Sequence, residues 1–255
     1  MSGDAASLRV LEEFRALDRV DLSTRFNPFL AHFAREAIRC GGDVRVVPGG
    51  GSIAGLIVSD PVERIASVFT RSPELAERCV RDRGTFGVYS EHPLEPAREA
   101  LDLLHRSFGR EPAEFRFRHP LRPYVREDLS AVLELMREVY GPVNERWYEC
   151  LPNPSEAGFV SEVDGRLAGV AWVTYVPGHA RLHSLTVRAP YRRVGIGTDL
   201  LFARLLWAYR SGAADVLSEV SASNAASQAI AGRAGMHRVG QIYYYPPSSR
   251  AGTRD

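Results

Sequence analysis

The chain has 255 residues, 45% of them hydrophobic and 25% charged, and a formal net charge of +1. That is room for two ordinary soluble domains, and the near-zero balance argues against bulk attraction to nucleic acid or a membrane surface. No run approaches the roughly 20 apolar residues of a membrane-spanning helix, and Met1 to Ser7 has neither the basic nor the apolar region of a signal peptide. Cys40, Cys79 and Cys150 are widely spaced without metal-ligand spacing, and read as thiols in a reducing cytoplasm. All 32 basic residues are arginine, so lysine Schiff-base chemistry is excluded, and the cysteine spacing leads us to expect no metal site.

Leu8, Leu11, Phe14 and Leu17 recur at near-helical spacing, which predicts a first helix from Leu8 to about Arg39. Strand-like runs follow at Val44–Val47, Ile53–Val58 and Ile65–Phe69, separated by turn clusters. Ser72-Pro73 opens a predicted helix reaching about Arg81, with serine as N-cap and proline in the first turn. A strand at Thr85–Tyr89 and a helix at Pro96–Phe108 complete the first half.

The pattern restarts near residue 113. Phe115-Arg116-Phe117-Arg118 alternates apolar and basic residues as a half-buried strand would. A helix follows from Arg126, stopped by Gly141-Pro142. Asp164-Gly165 between two apolar runs is a strong hairpin signal. Leu182–Val187, a glycine loop, an amphipathic helix to about Gly212, strand Val216–Val220, a small-residue helix after Asn224 and strand Val239–Tyr245 come next. Residues 248–255 are polar and read as a disordered tail.

The informative stretch is Arg192-Arg193-Val194-Gly195-Ile196-Gly197-Thr198, between a strand and a helix. Two glycines let the backbone N–H groups approach phosphate oxygens, the helix N-terminus adds partial positive charge, and the arginines supply countercharge. Leu200 stands where a dinucleotide fingerprint would need its third glycine, and a lysine-free chain has no Walker loop.

Arg192-x-x-Gly195-x-Gly197, after a strand ending in Val187 and an Ala-Pro-Tyr turn, resembles the pyrophosphate motif of the GNAT acyltransferase superfamily. Asn224-Ala225-Ala226-Ser227 followed by Gly235-Met236 resembles its second motif, closest to the glycine N-acyltransferase-like branch. The resemblance implies an α/β fold with a mixed sheet in residues 113–247, and acetyl-CoA or another acyl-CoA as cosubstrate. It further implies direct transfer to the amine of a small molecule or amino-acid-like acceptor. Leu185, Thr186 and Val187 would line the pantetheine, and Asn224 and Ser227 would contact the cofactor. Residues 1–112 echo the same element order without the motif. They read as a degenerate second copy or as an unrelated accessory domain.

Catalytic side chains are less determined. His183 is a candidate general base, because an imidazole can both take and give a proton, though a packed strand histidine reads equally well. Ser184 could relay a proton. Arg181 stands where many relatives carry a glutamate, which leaves Glu162 and Glu219 as replacements, and Ala231 stands where they carry an acidic tyrosine. Tyr244, on the last strand, is a candidate substitute acid. These departures leave a second reading open, a non-catalytic acyl-CoA binding or sensing module. Trp147 and Tyr148 are expected near the acceptor.

Overall fold

A computed structural model describes residues 9–10, 42–49, 52–60, 64–70, 72–83, 87–94, 99–109, 115–143, 145–149, 156–176 and 178–248. It divides into two compact units, Met1–Asp102 with Gly240–Asp255, and Leu103–Val239. The first unit includes strands β1 (Arg9–Val10), β2 (Asp43–Gly49), β3 (Ser52–Asp60), β4 (Ile65–Thr70) and β5 (Gly87–Ser90), with helix α1 (Pro73–Arg81) before β5. Strands β1 to β4 pair antiparallel in sequence, and β5 lies parallel to β4. Such a parallel step needs a crossover, here α1.

Helix α1 starts as the sequence dictates: Ser72 Oγ accepts the Leu75 N–H at 3.1 Å, with Pro73 at the first helical position. Its Val80 packs with Val68 and Val88, the apolar stripe that holds it on the sheet. The unit is completed from the far end of the chain. Tyr243, Tyr244 and Tyr245, in β12 (His237–Tyr245), pair with Ser90, Tyr89 and Val88 of β5.

Residues 96–108 differ from expectation. The structure has strand β6 (Glu99–Ser107) where a helix is predicted. Ala, Leu, Glu and Arg favour a helix locally, but Asp102, Leu103 and Leu104 are buried consecutively, as in a strand covered on both faces. Of the predicted first helix, Arg9–Val10 is strand and the rest lies outside the described residues, as does the tail beyond residue 248.

The second unit orders its strands β6-β11-β10-β9-β8-β7. The members are β7 (Leu121–Pro123), β8 (Glu156–Val163), β9 (Arg166–Val176), β10 (His179–Val187) and β11 (Asp215–Ser221). Helices α2 (Leu129–Tyr140), α3 (Glu145–Glu149), α4 (Ile196–Arg210) and α5 (Ala225–Arg233) accompany them. Asp164 and Gly165 both have positive φ, 52° and 73°, as a two-residue hairpin between β8 and β9 requires. Alternation along β9 then sends Val170 and Trp172 against α2, and Val173 against α4. Helices α2 and α4 therefore lie on opposite faces of the sheet, with α5 packed beside α4.

Residues 115–118 are not a strand. The segment lies against α4, where Phe115 stacks on Phe202 with centroids 3.9 Å apart and planes within 4°. Arg116, Phe117 and Arg118 are all exposed, so the alternation marks a strap held at Phe115, without a ladder partner.

Candidate active site

Strands β10 and β11 lie parallel, paired at His179↔Asp215, Ala180↔Val216 and Arg181↔Leu217. Beyond these pairs no register is formed between them among the described residues, so the two strands part toward their C-terminal ends. At the same place β10 slips against β9. The register jumps between His183 and Thr186, leaving Ser184 and Leu185 outside the β9 ladder. Ser184 has φ 49°, an uncommon backbone for a non-glycine residue. Arg204 of α4 holds the slip from beneath. Its Nη1 donates to the carbonyls of Trp172 at 3.2 Å and His183 at 3.1 Å. Burial pushes its pKa down to about 9, so it stays a cation at neutral pH.

Two cavities open along this parting. The larger, of about 980 Å³, is lined by Leu185, Thr186 and Val187 of β10, by Arg192, Arg193, Val194, Gly195, Gly197 and Thr198, and by Asn224 and Ser227. The smaller, of about 200 Å³, holds His183, Ser184, Glu219 and Ala231. Tyr140, Leu185, Asn224, Ser227 and Ile230 line both, so the cavities adjoin.

Local sequence sets the cradle. Arg193 and Gly195 take positive φ, 66° and 113°, which turns the chain from the short Ala189–Tyr191 helix into α4. Only glycine adopts the second value without strain. Gly197 has no positive φ; a Cβ there would come 3.4 Å from Ile230 Cδ1 and 3.7 Å from Leu185 Cδ2 and Val187 Cγ2. Those are ordinary contact distances, so a methyl fits there, and Gly197 lines the larger cavity. Ile196 itself points into the core, leaving its N–H at the helix start. Arg192 donates Nε to the Val187 carbonyl at 2.8 Å, which leaves its other nitrogens for a ligand. Asn224 caps α5, its Oδ1 accepting the Ser227 N–H at 3.1 Å.

His183 is buried and not alone. Its Nε2 lies 2.9 Å from Thr174 Oγ1 and 3.2 Å from Glu156 Oε1, and its Nδ1 lies 3.3 Å from Ser184 Oγ. Glu156 was not legible as a site residue: it comes from the start of β8, and only the β8–β9–β10 register brings it to the histidine. Glu219 faces the smaller cavity with Arg181 Nε 3.1 Å from both its oxygens. Glu162 lies elsewhere, ion-paired with Arg122.

Other expectations fall outside the site. Tyr244 belongs to the first unit, its ring 4.9 Å from that of Tyr89, and it lines neither cavity. Tyr148 is buried in the core under α2, and the side chain of Trp147 lies outside the described residues. A tyrosine that sequence did not flag is present instead. Tyr140 ends α2 with its hydroxyl 3.2 Å from Thr186 Oγ1. Among the described residues no group of three or more His, Cys, Asp or Glu is placed to hold a metal ion, and no helix is long and apolar enough to cross a membrane.

A parted pair of parallel strands beside a glycine cradle is the arrangement on which comparison with known proteins bears. Residues 123–236 match the model of the acetyltransferase (GNAT) family. That span is similar to a GNAT acetyltransferase domain. The fold of solved structures agrees. A GCN5-related N-acetyltransferase from Sphaerobacter thermophilus matches at 19% identity and TM-score 0.57, over 80% of this chain and 79% of that one. A GNAT-family acetyltransferase from Colwellia psychrerythraea matches at 12% and 0.60, over 94% and 98%. A tandem GNAT protein from the clavulanic acid biosynthesis pathway matches at 18% and 0.56, over 90% and 92%. No match is found among the curated proteins. The chemistry of the cradle suits a pyrophosphate: Arg192 and Arg193 line the large cavity beside Gly195, Gly197 and Thr198 at the start of α4.

Proposed function

We propose that the chain is an N-acyltransferase that moves acetyl from acetyl-CoA to the amine of a small or amino-acid-like acceptor by direct attack. The observation that carries this reading is the junction of the two cavities at Leu185, Asn224 and Ile230. A ligand whose phosphates rest on the cradle runs along Leu185–Val187 and ends beside His183. Acyl-CoA supplies an activated acyl carbon and a thiol leaving group with a pKa near that of cysteine, about 8.5.

The chain's own groups divide the remaining work. His183 accepts a proton from the attacking amine, directly or through Ser184, and Glu156 and Thr174 orient its ring. Ser184 and Leu185, outside the ladder, offer backbone N–H groups toward the acyl oxygen. Tyr140, on the wall shared by the cavities, takes the role of acid anticipated for Tyr244.

One observation favours a second reading, acyl-CoA sensing without turnover. Ala231, at the position of the family's acidic tyrosine, lines the small cavity and brings no proton donor. Release of free thiol from acetyl-CoA over a panel of amines, amino acids and peptides separates the two. Steady release supports the enzyme, and tight binding without release supports the sensor.

The first unit we read as a degenerate copy of the same fold. Its antiparallel β2–β3–β4, helix α1 and parallel β5 repeat the order of β8–β9–β10, α4 and β11. The match to a tandem GNAT protein over most of both chains supports that reading.

A further inference from the structure

Five arginines line the large cavity: Arg116, Arg118, Arg192, Arg193 and Arg233. None is ion-paired among the described residues, and the one carboxylate on the lining, Asp199, is otherwise engaged. Its Oδ2 accepts the backbone N–H groups of Arg118 at 3.2 Å and His119 at 3.0 Å, and lies 2.7 Å from His119 Nδ1. Together with the Phe115–Phe202 stack, this latch ties the 115–119 strap down at both ends. Arg116 and Arg118, two residues apart on the strap, both face the cavity. A latch of this kind uses a buried carboxylate to place two arginines that make no ion pair among the described residues.

We propose that Arg116 and Arg118 form a second anion subsite that binds the 3′-phosphate monoester of coenzyme A. The inference rests on the acyl-CoA reading above. Direction along the cavity decides which phosphate they meet. The reactive end points to the wall shared with His183, on the side of Gly197, where a Cβ would touch Ile230 and Leu185. The strap lies on the side of Gly195, where a Cβ would come 3.4 Å from His119 Cε1 and 3.6 Å from Arg118 Cδ. The nucleotide end of the ligand therefore leaves the cradle toward the strap. Pyrophosphate is served by the first-turn N–H groups with Arg192 and Arg193. A phosphate monoester carries about −1.5 to −2 at neutral pH and calls for further cations, and planar guanidinium forks suit it.

The test compares coenzyme A with 3′-dephospho-coenzyme A by calorimetry on the full chain and on an Arg116→Ser/Arg118→Ser variant. Both side chains are exposed, so the variant should fold like the parent. Two charge-assisted contacts predict that the parent prefers coenzyme A by about 10-fold to 100-fold. The variant should lose most of that preference while its affinity for the dephospho form stays within about 2-fold. Equal binding of the two ligands by the parent overturns the subsite and leaves the acyl-CoA reading standing. So does equal weakening of both ligands in the variant, or loss of the preference in Arg233→Ser alone. Failure of the parent to bind either ligand overturns both readings.

Discussion

His183 Nε2 lies 3.2 Å from Glu156 Oε1, with Thr174 Oγ1 within reach of both. The network favours one tautomer. Thr174 donates its hydroxyl proton to Glu156 at 3.3 Å, and its lone pairs are left to accept from the imidazole. In that arrangement Nε2 carries the hydrogen and the Nδ1 lone pair faces Ser184.

That arrangement predicts a positioning role for Glu156 and a proton-accepting role for His183. His183→Gln should lower kcat by about 100-fold near neutral pH, within the range of general-base catalysis. The deficit should narrow at high pH, where the acceptor amine deprotonates unaided. Glu156→Gln should lower kcat about 10-fold with acetyl-CoA affinity unchanged, and should add almost nothing in the His183→Gln background. Additive losses in the double variant would reduce Glu156 to a packing residue.

Tyr140→Phe removes a hydroxyl that faces Thr186 at 3.2 Å and leaves the ring. If Tyr140 protonates the departing thiolate, turnover falls about 10-fold to 100-fold while Kd for acetyl-CoA is retained. Tyr244→Phe should leave turnover within about 2-fold, since Tyr244 packs on Tyr89 and lines neither cavity. Steady-state rates of the two variants, measured side by side, decide between them.

The loop from Arg192 to Thr198 and the start of α4 were legible because their physics is local: two glycines, arginines and a helix start sit together in sequence. Asn224 was legible for the same reason, as an N-cap before a small-residue helix. Glu156 was not, because its meeting with His183 depends on the register of three strands. The parting of β10 from β11 was hidden for a like cause, since it arises from where pairing stops. Residues 99–107 misled in the opposite direction. Their Leu, Ala and Glu content favours a helix in isolation, and burial on both faces makes them a strand. The close of the first unit by β12 was equally invisible, and a fragment ending at residue 112 would lack it.

Asp128 ties the entry of α2 to the sheet. Arg122 binds both its oxygens, at 2.7 and 2.8 Å, and the Val125 N–H donates to Oδ2 at 2.9 Å. The Arg122 hydrogen bonds, opposed by burial and helped by the Val125 N–H, hold the carboxyl below the usual range. A carboxyl depressed in the folded state contributes stability above its unfolded pKa of about 3.9. That contribution is lost as pH falls through the lower folded value. Asp128→Ala should cost about 1 kcal/mol at pH 7, discounted for the exposure of Arg122. Thermal melts should show the gap between parent and variant closing as pH falls below about 4.

Gly197→Glu tests the cradle itself. Backbone strain does not complicate the substitution, because the positive φ of this loop falls on Arg193 and Gly195. A Cβ at Gly197 meets only the ends of flexible side chains, the nearest Ile230 Cδ1 at 3.4 Å, so Gly197→Ala should fold and bind nearly as the parent does. Glutamate goes further. Its stem extends into the large cavity, and its charge sits in the first turn of α4, where it is slightly favourable to the free protein by about 0.3–1 kcal/mol. Toward a pyrophosphate the same charge is repulsive, and the side chain fills the approach that glycine leaves open. Acetyl-CoA binding should therefore fall at least about 100-fold in Gly197→Glu, the factor for losing about 3 kcal/mol, while circular dichroism and melting temperature stay near those of the parent. Retention of affinity within a few-fold by a folded Glu variant would move the phosphates away from Arg192–Thr198. Loss of affinity in the alanine control as well would mean that the gap tolerates no side chain at all, whatever its charge.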